Sequence, residues 1–115
     1  MKVGFIGLGN VGGKLASSLL RNKFDLTVID LDSSLTKDFV AKGASSTNSP
    51  KELAQKVDLI ITCLPSPKIC AEIMEKKDGV IEGLSKNKIW IEMSTTDNKE
   101  VKRIGDLVNQ KELFH

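Results

Sequence analysis

Short apolar runs alternate with helical patterns from one end of the chain to the other. Lys2–Ile6 is an apolar run ended by Gly7 and predicts a first strand. Val11, Leu15 and Leu19 then recur at helical spacing, with Ala16 and Leu20 widening the face, so a helix runs to about Asn22. Leu26–Ile29 reads as a second strand. Ser33 or Ser34 can cap a helix that carries Leu35, Phe39 and Val40 and is closed by Gly43. Ala44–Ser46 is a weakly patterned third strand.

In the second half, Ser49-Pro50-Lys51-Glu52 has the grammar of a helix start: a hydroxyl at the cap, proline in the first turn, and glutamate three residues after the cap. Leu59–Leu64 is β-branched and apolar on both faces, a strand buried on both sides. Ser66-Pro67 opens another helix, with Ile69, Cys70, Ile73 and Met74 as its apolar stripe, and Ile89–Ile91 is a fifth strand. Asp97 and Glu100 start a last helix carrying Val101, Ile104 and Val108, and Leu113-Phe114 opens a sixth strand. Continuously apolar strands alternating with helices require a parallel sheet covered on both faces. The expected fold is therefore α/β, a Rossmann-type doubly wound parallel sheet occupying residues 1–115 as one domain, without repeats or linkers.

Composition narrows the partners. Of 115 residues, 17 are Lys or Arg and 15 are Asp or Glu, and the cations are scattered along the chain. Nucleic-acid binding, which needs concentrated positive charge, is not expected. No run reaches the length of a membrane span, and the N-terminal apolar run is broken by glycine too early for a secretory signal. Cys63 and Cys70 lack metal-ligand spacing and read as small core residues in a reducing compartment. The expectation is a cytoplasmic protein without a metal site.

Gly7-Leu8-Gly9-Asn10-Val11-Gly12 adds chemistry. The G-x-G-x-x-G spacing proves little alone, but here it ends the first strand and opens an amphipathic helix. The first glycine permits the tight turn, the second lets backbone approach a pyrophosphate, and the third lets helix and strand pack closely. Free N–H groups and the positive end of the helix dipole then face the phosphates. Asp30 follows Gly12 at an interval of 18 residues and ends the second strand. Such a carboxylate accepts hydrogen bonds from ribose hydroxyls and repels a 2′-phosphate; its plainer role is a solvated strand end. With Leu31 next and no arginine there, NAD is favoured over NADP, and Asp32 reads as a helix-start residue.

Ligands of such sheets lie beyond the carboxyl ends of the strands, where strand order reverses. Leu64-Pro65-Ser66-Pro67 follows the fourth strand and either lines the cofactor or serves only as a capping turn. Ser94 and Thr95 follow the fifth strand; their hydroxyls could hold a substrate carboxylate or the nicotinamide amide, or cap the next helix. His115 is the only histidine, and no Lys, Tyr or Asp near the crevice has an evident reason for a perturbed pKa, so the proton donor or acceptor that hydride transfer needs is not visible. No catalytic residue is expected in this chain.

The segment Gly4-Phe5-Ile6-Gly7-Leu8-Gly9-Asn10-Val11-Gly12, with Val28-Ile29-Asp30, Cys63-Leu64-Pro65, Asp78-Gly79-Val80 and Glu92-Met93-Ser94-Thr95, resembles the β-hydroxyacid dehydrogenases. That family includes 3-hydroxyisobutyrate dehydrogenase, tartronate semialdehyde reductase and, more distantly, 6-phosphogluconate dehydrogenase. The resemblance covers essentially the whole chain. It implies an N-terminal NAD-binding domain in which Gly7, Leu8, Gly9, Asn10, Val11, Gly12, Asp30, Leu31, Leu64, Pro65 and Thr95 face the cofactor. Ser94 and Thr95 would lie beside the substrate. NADP users of the family usually end the second strand with Asn-Arg, and Asp30-Leu31 resembles the NAD users. Val11 replaces the family's usual Met, and Gly13-Lys14-Leu15 a stretch often holding Pro and Met, which leaves substrate preference open.

The family's Val-Ser-Gly-Gly substrate loop, catalytic Lys and helical dimerisation domain are expected beyond residue 115. The chain therefore reads as the cofactor domain of an enzyme exchanging hydride between NAD and a small β-hydroxy acid, inactive by itself and possible as a homo-oligomer. The alternative is a stand-alone dinucleotide-binding module. A pyrroline-carboxylate or prephenate type of dehydrogenase is disfavoured by the Met-Ser-Thr segment.

Overall fold

The computed structural model describes residues 1–85 and 87–93. Five strands are joined by helices: β1 Lys2–Ile6, β2 Asp25–Ile29, β3 Ser45–Ser46, β4 Leu59–Thr62 and β5 Ile89–Glu92, with α1 Asn10–Arg21, α2 Ser33–Ala41, α3 Pro50–Lys56, α4 Pro67–Glu75 and α5 Val80–Gly83. The last helix and sixth strand expected from the sequence, with Ser94 and Thr95, lie outside the described residues.

All pairings are parallel and the strand order is β3-β2-β1-β4-β5. β1 is the pivot. Val3 stands opposite Leu26 on one side and Leu59 on the other. Because the chain winds away from β1 in both directions, helices fall on both faces, as right-handed crossovers demand. One face packs Val3, Phe5, Leu26 and Val28 against Ala16 and Phe39 of α1 and α2. The opposite face packs Ile6 and Ile60 against Leu53, Ala54, Cys70, Ile73, Met74 and Val80 of α3, α4 and α5. Parallel strands buried on both faces give the apolar runs seen in the sequence.

Helix starts follow local side-chain chemistry. Ser49 accepts from the Glu52 N–H, and Ser66 from the Ile69 N–H, at 3.2 Å each. The cap of α2 is Asp32, read as a helix-start residue, rather than Ser33 or Ser34; its carboxylate accepts from the Ser34 N–H at 3.0 Å and the Ser34 hydroxyl at 2.7 Å. These bonds, the hydroxyl first, hold the Asp32 carboxyl below its ordinary range. Gly43 closes α2 with φ +111°, its N–H donating to the Val40 carbonyl at 3.0 Å. One short helix, α5, had no counterpart in the periodicity, because a single turn carries no repeat. Ahead of β5, Lys88 donates to the carbonyls of Ala54 and Gln55, tying that strand's entry to the C-terminal end of α3. Among the described residues no helix is long and apolar enough to cross a membrane.

Candidate functional site

The strand order reverses between β1 and β4, and a cavity of about 720 Å³ opens at that point. Its floor is the β1–α1 turn. Gly7 sits at φ +102°, and a Cβ there would collide with the backbone carbonyl of Cys63. A Cβ on Gly12 would collide with the carbonyl of Gly7. Both glycines let the loop lie tight against β4 and α1 tight against the loop. Gly9 is different, since a Cβ there would meet no protein atom within 4 Å. Nothing among the described residues requires Gly9 to be small.

Gly9 is also the N-cap of α1, and no side chain caps this helix. The other helices of two turns or more carry Asp32, Ser49 or Ser66 at that place. No acid stands in the first turn of α1 either. Its leading N–H groups therefore keep their hydrogen-bonding capacity and the positive end of the dipole for something outside the helix.

Asp30 stands at the cavity wall beside this turn. Its Oδ2 accepts from the Leu8 N–H at 2.6 Å and its Oδ1 from the Asp32 N–H at 2.8 Å. The Asp30 N–H donates to the Thr36 hydroxyl at 3.1 Å, and the Gly7 N–H to the Ile29 carbonyl at 3.2 Å. The ends of β1 and β2 are thus bound to each other. The Leu8 side chain does not reach the cavity; it is buried in the core of the α1 face.

Leu31 and Leu35 wall the cavity on the β2 side, Asn48 and Pro50 behind, and Leu64, Pro65, Ile69 and Ile73 on the β4 and α4 side. Of the residues singled out from the sequence, Gly7, Gly9, Asn10, Val11, Gly12, Asp30, Leu31, Leu64 and Pro65 meet on this cavity. Asn48, Pro50, Ile69, Ile73, Lys76 and Met93 also line it without having been anticipated. Pro50, Ile69 and Ile73 announced only a helix start and a core stripe.

Cys63 departs from the expected core position, for it is half-buried and lines the cavity. Burial, and then the Glu92 carboxylate, push its thiol up, so it stays protonated at neutral pH. Cys70 is buried and donates to Glu92 Oε2 at 2.7 Å. The same oxygen accepts from the Thr62 hydroxyl at 2.7 Å, and that hydroxyl accepts from the Trp90 indole at 2.9 Å. The Met93 N–H donates to the Thr62 carbonyl at 2.8 Å. This network fixes the exit of β5 against β4 and α4 and sets Met93 at the cavity wall.

Residues 2–115 match the family model described as the NAD binding domain of 6-phosphogluconate dehydrogenase. The chain belongs to that family. Mouse mitochondrial 3-hydroxyisobutyrate dehydrogenase is 36% identical over 110 residues, which cover 90% of this chain and 33% of the mouse protein. The domain also superposes on Mycobacterium tuberculosis 3-hydroxyisobutyrate dehydrogenase, determined with L-serine, at a TM-score of 0.87 and 20% identity, covering 96% of this chain and 37% of that one. A TM-score of 0.88 at 20% identity relates it to Psf3, determined with NADP+ and 2-OPP, covering 95% and 39%. These two likenesses carry the Rossmann fold. The domain thus spans about a third of the length of its relatives.

Proposed function

We propose that the chain is the cofactor-binding part of an NAD-dependent hydroxyacid dehydrogenase of the 3-hydroxyisobutyrate dehydrogenase type. The observation that carries this reading is the uncapped start of α1 at Gly9, open to a cavity at the strand-order reversal. Gly9, Asn10, Val11 and Gly12 would receive the pyrophosphate through main-chain N–H groups, with Gly7, whose own N–H is held by the Ile29 carbonyl, shaping the turn that brings them to it. Asp30 would accept from the adenosine ribose hydroxyls; a carboxylate oxygen with one N–H on it keeps a second lone pair. Leu31, Leu64 and Pro65 would flank the cofactor. Ser94 and Thr95, following Met93, would serve the nicotinamide and the substrate.

Bound there, the cofactor would exchange hydride with the hydroxyl-bearing carbon of a small β-hydroxy acid. The general acid–base group would come from beyond residue 115, as would most of the residues that choose the substrate. NAD is preferred to NADP because a 2′-phosphate would meet the Asp30 carboxylate, with Leu31 rather than a cation beside it. Titration of NADH and NADPH into the purified chain, read by nicotinamide fluorescence, tests this. NADH should bind at least about tenfold more tightly, a difference of one unfavourable charge contact; preference for NADPH refutes the role of Asp30. The purified chain should show no dehydrogenase turnover, and a measurable rate without added protein refutes that part.

A further inference from the structure

Asp30 does more in this fold than end a strand. Both of its carboxylate oxygens are engaged by main-chain N–H donors, one from the glycine turn at Leu8 and one from the α2 entry at Asp32. Its own N–H is held by Thr36 of α2. Leu8 lies between Gly7 and Gly9, and its side chain is only 3% exposed, so the residue is pinned at both ends: the side chain by the core and the N–H by Asp30. Gly7 is anchored in this turn through its N–H, which donates to the carbonyl of Ile29, the residue before Asp30.

From this geometry we infer that Asp30 is a positioning residue for the phosphate turn, holding Gly7–Gly12 in its receptive shape in addition to any contact with ribose. This rests on the cofactor reading above, and it deepens it. A charge-assisted bond from N–H to carboxylate is stronger than a neutral one, and losing it would leave the Leu8 N–H without its acceptor. The turn would then sample shapes in which the α1 N–H groups no longer converge. Charge alone argues the opposite way: deleting an anion beside a phosphate site should tighten an anionic ligand. The two effects have opposite signs, which makes the outcome decisive.

The test uses 2′,3′-dideoxyadenosine 5′-diphosphate, a nucleotide with no ribose hydroxyls for Asp30 to hold, and ADP as its hydroxylated counterpart. Calorimetric titrations would compare the wild-type chain with Asp30→Ala and with Asp30→Asn, which keeps one acceptor oxygen. Alanine should weaken the dideoxy nucleotide about tenfold, with asparagine between alanine and wild type. Amide exchange by NMR without ligand gives a second readout, in which the Leu8 amide should exchange at least about tenfold faster in Asp30→Ala while core amides of β1 and β4 keep their rates. Unchanged or tighter dideoxy-nucleotide binding overturns the inference, as does an unchanged Leu8 exchange rate. Either result leaves the cofactor reading standing if ADP and NADH still bind the wild type. Failure of the wild type to bind ADP or NADH overturns both.

Discussion

Gly7, Gly9 and Gly12 differ in what an added methyl group would meet, and that difference separates folding from binding. At Gly7 the methyl meets the Cys63 carbonyl in a backbone with φ +102°, and at Gly12 it meets the Gly7 carbonyl. Gly7→Ala and Gly12→Ala should each destabilise the chain by roughly 2 kcal/mol or more, through strain and collision with main chain. Gly9→Ala meets nothing and costs about 1 kcal/mol as a poorer helix cap. It should nevertheless weaken NADH at least about tenfold, because its methyl would occupy the approach proposed for the pyrophosphate. Thermal unfolding and NADH titration of the three variants check the division; normal binding by Gly9→Ala would show that the phosphate lies elsewhere. At Cys63, burial and the Glu92 carboxylate raise the thiol pKa, so the sign at neutral pH is toward less thiolate. Iodoacetamide should label Cys63 more slowly than a free small thiol at pH 7, catch up only as pH rises beyond the ordinary thiol range, and slow further with NADH present. Peptide mass spectrometry reads all three comparisons.

At the level of elements, the parts written in local chemistry were legible in the sequence. Ser49-Pro50 and Ser66-Pro67 start α3 and α4 where the cap and first-turn proline said they would. At the start of α2 the sequence offered Asp32 as a helix-start residue and Ser33 or Ser34 as the cap; all three are good cap formers, and geometry chooses Asp32. Nothing local announced α5, or the bonds that Glu92 makes. Thr62, Cys70, Trp90 and Glu92 belong to three different elements and meet only once β4, β5 and α4 have packed. Thr62 is fully buried, so its hydroxyl depends on the Glu92 acceptor. Glu92→Ala should therefore cost about 1–3 kcal/mol, and Thr62→Val should recover part of that loss in the double variant. Urea unfolding of the two single variants and the double variant measures the coupling. Additive losses would mean that the bond between Thr62 and Glu92 contributes nothing to stability.

For the molecule as a whole, the strand order follows from the connections, and it decides which half of a dinucleotide the described walls can serve. The turn at Gly7–Gly12, with Asp30, Leu31, Leu35, Asn48 and Pro50, lies toward β1, β2 and β3, the side on which an adenosine diphosphate would rest. The cavity itself was not legible, because Asn48, Ile73 and Lys76 come together across elements far apart in sequence; the sequence could announce only its floor and Asp30. The uncapped start of α1 and the Asp30 carboxylate are the groups on this cavity that match pyrophosphate and ribose, so binding energy should be concentrated in the adenosine and pyrophosphate half. ADP-ribose should bind within about tenfold of NAD, while nicotinamide mononucleotide should bind at least about a hundredfold more weakly than either. Each ligand stabilises the folded state by RT ln(1 + [L]/Kd), about 2.7 kcal/mol at a hundredfold excess over Kd, so melting curves at matched concentrations rank the three directly. If nicotinamide mononucleotide raised the melting temperature as much as ADP-ribose did, the walls that hold the cofactor would lie past β5, and the glycine turn would not be the main anchor.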